Sequence, residues 1–178
     1  MVFTECYHRP IMSQAFPELV DPRRCADLGK HFAGRVPLEA FSRLAPLLVD
    51  VAADAEFELE FQREGRRAVI RGKVRADLRL ECQRCREPMA FTAASDICLA
   101  VVEGLDEIER LPEPYDPLMM EAPKLKLMDL LEDELLLSLP QVPMHHPGEC
   151  TSAQMRDPVE ATATEENPFA VLAELKRK

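Results

Sequence analysis

Between Ile70 and Cys82 every second residue is small or apolar. Ile70, Gly72, Val74, Ala76, Leu78, Leu80 and Cys82 share one parity, and Arg71, Lys73, Arg75, Asp77, Arg79 and Glu81 hold the other. A period of two sustained this long cannot sit on a helix, whose faces repeat every 3.6 residues. It demands a strand with one buried and one solvated face. Runs of the same period flank it. Phe57, Leu59 and Phe61 alternate with Glu56, Glu58, Glu60 and Gln62, and Phe91, Ala93, Ile97, Leu99 and Val101 share a parity further on. "REGRR" (63–67) supplies a Gly-centred turn, and Pro88 with its charged neighbours closes a second. The simplest arrangement is a three-stranded antiparallel meander.

Helical patterns lie on either side. "VPLEAFSRLAPLL" sets Leu38, Phe41, Leu44, Ala45 and Leu48 at helical spacing, with Pro37 suited to a first turn and Pro46 ending it. "AFPELVDPRRCADLG" holds a short apolar run, a stop at Pro22 and one turn of helix. "LMDLLEDELLLSLP" is the strongest helix, with Leu127, Leu130, Leu131, Leu135 and Leu139 as its core stripe and Pro140 as its stop. The segment between carries acids and prolines and predicts a connecting loop with a short strand at Leu118–Met120. The expected fold is α+β: an antiparallel meander, a partly open barrel-like sheet, flanked by helices and ending in loop-rich termini. The expected organisation is a flexible lead at 1–15, a single domain at 16–150, and a polar linker with a short C-terminal helix at 151–178. In that helix Asn167 caps, Pro168 starts, and Phe169, Leu172 and Leu175 make one sticky face for a partner.

The chain has 178 residues, no window apolar enough to cross a bilayer, and a start that is neither Lys/Arg-led nor continuously apolar. A cytoplasmic location is expected, with Met12 an alternative start. Cysteines there stay reduced, so their spacing speaks for metal binding or plain burial over disulfides. Cys25 and Cys98 stand apart and read as buried small hydrophobes.

"LECQRC" (80–85) ends the central strand with a Cys-x-x-Cys pair, and "VPMHHPGEC" places His145, His146 and Cys150 directly after the leucine helix. Cys82, Cys85, one of the two histidines and Cys150 make a Cys₃His set, the thiolate and imidazole donors that tetrahedral zinc takes. With all four positions filled by protein the zinc would be structural, joining hairpin tip to helix end. Two other readings stay open: a plain loop in which these residues are merely near, and a redox dithiol. The dithiol wants a helix N-terminus after its strand, and here a strand follows.

The formal charge is −10, which opposes nucleic-acid binding by the whole chain. The charge is uneven, however. Residues 63–87 hold nine Arg/Lys against four acids, and 103–134 hold eleven acids against three bases. Arg71, Lys73, Arg75 and Arg79 project from one strand face. A solvated face partly neutralised by Glu56, Glu58 and Glu60 is one reading, and a phosphate-tracking ridge is the other. No aromatic residue interleaves with the bases, so stacking is not on offer. The acids of 132–134 read as a hydrated helix face. No Gly-rich phosphate loop, Ser/His/Asp set or catalytic carboxylate pair assembles, and the chain does not read as an enzyme.

"LRLECQRCREPM", "LPEPYDPL", "DLLEDELLLSLPQVPMHHPGEC" and "NPFAVLAELKRK", in this order, resemble the bacterial YceD family. The resemblance implies a role in the synthesis, processing or stability of 23S rRNA, hence in large ribosomal subunit biogenesis. Its Cys-x-x-Cys and Pro-x-His-x-x-x-x-Cys patterns map to Cys82, Cys85, His145 and Cys150, which favours His145 over His146. Implied partners are large-subunit rRNA or its assembly intermediates and a basic ribosomal protein or assembly factor, with no membrane. An adaptor, direct contact with the rRNA backbone, and a zinc- or redox-dependent regulator are the competing mechanisms.

Overall fold

The alternating residues become the longest strands of a mixed α+β fold. The computed structural model describes residues 17–120 and 122–150, and its elements run β1 (Leu19–Val20), α1 (Pro22–Asp27), β2 (His31–Pro37), β3 (Leu48–Asp50), β4 (Asp54–Glu64), β5 (Arg67–Glu81), β6 (Pro88–Val102), α2 (Leu105–Ile108), β7 (Asp116–Met119), β8 (Leu125–Lys126) and α3 (Leu127–Leu137). The described chain divides after Met144 into two compact units, and the second contributes only residues 145–150 to the description. The lead at 1–15, the linker and the C-terminal helix carrying Phe169, Leu172 and Leu175 lie outside the described residues.

The main sheet has the order β2-β4-β5-β6-β7 and does not close on itself. The expected meander is its centre: Glu64 pairs with Arg67 across the first hairpin, and Glu81 with Pro88 across the second, both antiparallel. Gly65, at φ +61, takes the left-handed turn that a side chain resists. Edge strand β7 runs parallel to β6, and β3 pairs with the far end of β5. A separate β1–β8 pair brings the start of the domain to the root of α3.

One face of the sheet is apolar. Leu59, Phe61, Ile70, Val74, Leu78, Ala93 and Ile97 are buried there in one cluster with Leu127, Leu130, Leu131 and Leu135 of α3. Burial of each large side chain contributes about 1.5–3 kcal/mol. Gly72 is fixed by crowding, because a Cβ there would run into the Glu58 carbonyl oxygen and lie 3.0 Å from Leu59 Cα.

The helix expected over 36–48 does not form. Val36 and Pro37 complete β2, 3₁₀ turns occupy Leu38–Ala40 and Ala45–Leu47, and Leu48 joins β3. Pro46 has no N–H to give an i→i−4 bond. Leu38, Phe41 and Leu44 are still buried, but their spacing of three fits the tighter turn as well as it fits a helix. At the other end, Pro22 follows the short apolar run and starts the expected turn of helix, α1. Asp21 caps the helix by accepting the N–H groups of Arg23 (3.0 Å) and Arg24 (3.2 Å).

Candidate functional site

The second hairpin ends in a six-residue loop, 82–87, closed by backbone hydrogen bonds of Cys82. The Cys82 N–H donates to the Glu87 carbonyl (3.0 Å) and the Arg86 N–H to the Cys82 carbonyl (2.8 Å). Arg86 takes a left-handed φ of +66 and pairs with Glu81 at 2.9 Å. The Gln83 N–H donates to the Pro143 carbonyl at 2.8 Å, which docks the stretch after α3 beside the loop. Residues 145–150 form their own turn. The His146 N–H donates to Glu149 Oε2 (3.2 Å), the Glu149 N–H donates back to the His146 carbonyl (3.1 Å), and Gly148 has φ +93. His145 Nδ1 and Cys150 Sγ are 3.7 Å apart.

Cys82, Cys85, His145 and Cys150 offer one ligand atom each, all within 4.8 Å of one another. Around a tetrahedral zinc, bond lengths of about 2.3 Å to sulfur and 2.0–2.1 Å to nitrogen imply donor–donor edges of about 3.5–3.8 Å. The His145–Cys150 distance already matches such an edge. The chemistry of the set fits too: three sulfurs and one imidazole are borderline-to-soft donors, and Cys82 and Cys150 are 0% and 1% exposed. Of the two histidines that spacing left open, His145 belongs to the group and His146 does not. Cys25 and Cys98 are outside it and only partly buried, which corrects the expectation that both are core residues. Burial pushes the Cys25 thiol up, and Asp21 pushes it further.

The basic residues of β5 do share the outer face, but carboxylates meet them there. Lys73 lies 3.2 Å from Glu58, which also accepts from His31. Hydrogen bonds from His31 and then Lys73 hold the Glu58 carboxyl below its ordinary range. Arg71 reaches Glu64 at 3.0 Å, donates to Tyr115 Oη at 2.9 Å and stacks 5.3 Å from the centre of that ring. The Tyr115 hydroxyl itself donates to Glu64, and these bonds depress the Glu64 pKa. Arg75 is 3.9 Å from Asp77 and sits opposite Glu56, while Arg79 is exposed opposite Ala90.

One polar residue escaped the sequence reading. Glu132 is not on a hydrated face but is 3% exposed. Its carboxylate accepts the backbone N–H of Arg43 (2.5 Å), that of Leu44 (3.0 Å) and Arg43 Nε (2.9 Å). The only hint was its position one turn after Met128, at the edge of the leucine stripe.

Residues 70–176 match the model of a family described as large ribosomal RNA subunit accumulation protein YceD. The chain is also similar to the large ribosomal RNA subunit accumulation protein YceD of Haemophilus influenzae, with 37% identity over 168 residues covering 91% of this chain and 97% of that one. No solved structure matches.

Proposed function

The chain belongs to the YceD family of large ribosomal RNA subunit accumulation proteins, and on that footing we propose that it supports 23S rRNA accumulation in the cytoplasm as a non-catalytic adaptor built around a structural zinc. The observation that carries the zinc is the four-donor group of Cys82, Cys85, His145 and Cys150. A zinc there has no open coordination position for water or substrate, so its contribution is mechanical. It holds the hairpin loop and the residues after α3 in one geometry. Zinc in such a site supplies folding free energy and loses it to chelators.

Charge supports an adaptor over direct contact through the strand face. Arg71, Lys73 and Arg75 already face carboxylates, so RNA would have to displace Glu58 and Glu64 to reach them. The acidic surplus of residues 103–134 suits a basic ribosomal protein or assembly factor.

Purification of the tagged full chain from growing cells tests this reading. Stoichiometric zinc together with large-subunit precursors or a basic ribosomal protein is the expected result. Arg71/Lys73/Arg75→Glu should leave that association in place. A metal-free chain whose melting ignores chelators rules out the zinc, and normal 23S rRNA levels in cells without the protein rule out the function.

A further inference from the structure

Charge pairing across the sheet leaves a remainder at one end of it. Around the β4–β5 turn, Arg63 lies 2.6 Å from Asp27, Arg23 2.6 Å from Glu103, and Arg71 is held by Glu64. Among the described residues no carboxylate forms an ion pair with Arg66 or Arg67, although Glu64 is the cross-strand neighbour of Arg67. Arg67 Nη2 makes only a long hydrogen bond, 3.5 Å, to the Arg110 carbonyl. Arg66 is exposed and Arg67 half-buried. Together with Arg23 and Arg63 they line a cleft of about 550 Å³, whose acidic residues are Glu64, Glu103 and Glu107. Each of those acids has a partner other than Arg66 or Arg67: Glu64 holds Arg71, Glu103 holds Arg23, and Glu107 accepts the Glu103 N–H at 2.8 Å. Among the described residues, the cleft therefore has two adjacent guanidiniums outside any ion pair.

A guanidinium is a planar fork of donors matched to phosphate oxygens, and it stays charged at any physiological pH. The lining offers little for a protein partner's apolar anchor, since Gly65, Ala68 and Val101 are its apolar members. It has no aromatic ring for base stacking either.

We propose that this cleft binds phosphate groups of the RNA backbone, with Arg66 and Arg67 as the contacting pair. The proposal rests on the rRNA reading above and adds to the adaptor an anchor on rRNA away from the neutralised strand face. Binding through it is sequence-independent and salt-sensitive.

The test is fluorescence polarisation of a labelled 23S rRNA fragment with the full-length protein between about 50 and 200 mM salt. Arg66→Ala/Arg67→Ala should weaken binding at least about tenfold and flatten the log K against log salt slope by about 1.5 units, with the melting temperature unchanged. Arg66→Lys/Arg67→Lys keeps the charge and should restore most of that slope. Lys73→Ala/Arg75→Ala removes the same charge from the strand face and should leave binding within about twofold. Undiminished binding by the double alanine variant overturns the proposal. So does an equal loss in the strand-face variant, or preference of the wild type for polyglutamate over RNA. A wild-type chain that binds no RNA, while its removal still lowers 23S rRNA, sinks the cleft and leaves the function reading intact.

Discussion

Glu132 grips Arg43 twice, accepting its backbone N–H at 2.5 Å and its side-chain Nε at 2.9 Å. The same carboxylate takes the N–H of fully buried Leu44, so one α3 side chain satisfies two backbone donors of the irregular segment between β2 and β3. Glu132→Ala should cost about 1–3 kcal/mol for each donor orphaned out of reach of water. Glu132→Gln keeps one acceptor oxygen and should cost less. Urea unfolding of both variants measures the difference.

Acid should unlock the same contact. Burial alone would raise the Glu132 pKa, but the N–H groups of Arg43 and Leu44, with the Arg43 side chain, outweigh it and hold the carboxyl below its ordinary value. A depressed folded pKa means stability that is fully present above the unfolded value, about 4.3, and is lost as pH falls through the folded one. The urea midpoint should therefore drop on going from about pH 5 to pH 3. In Glu132→Gln that drop should be smaller.

Gly72 has no room for a side chain. Its neighbour in the obstructed direction is the Glu58 backbone, which cannot swing aside as a flexible side-chain end would. Gly72→Ala should lose about 1–3 kcal/mol by overpacking and loosen the β4–β5 pairing. Faster hydrogen exchange at Leu59 and Ile97, the residues paired with Gly72, would report it.

Removing a zinc ligand should act locally. Cys82→Ser, or a chelator, should raise hydrogen exchange across residues 82–87 and 140–150 while the core strands stay protected. Elemental analysis should find the metal lost with the thiol. A fall in protection confined to 82–87 would contradict a shared ion.

Lys73→Ala, by contrast, should change stability by less than about 1 kcal/mol. The pair it makes with Glu58 is exposed and solvent-screened.

Much of the sheet is legible before any coordinates. The parity of residues 70–82 names the buried side chains of β5 from Ile70 onward, because a strand sends alternate residues to opposite faces regardless of what it pairs with, but not Val69, which is buried at the opposite parity. The leucine stripe of α3 and the turn at Gly65 are equally local. Strand β2 is missed because Ala33 and Gly34 blur its alternation and one of its edges is open. The segment from Pro37 to Leu48 is misread because its apolar spacing suits two kinds of helix, and two of its N–H groups go to a distant carboxylate that no local pattern announces.

The candidate site divides along the same line. The residue types and the two separate patterns, Cys-x-x-Cys and His-x-x-x-x-Cys, belong to the sequence, since donor chemistry is a property of the side chain. Which histidine joins the sulfurs, which arginines are neutralised and which acid is buried depend on residues tens of positions apart coming within a few ångströms. Periodicity carries local preference, but Coulomb and hydrogen-bond energies depend on distance in space, and only the packed chain sets those distances.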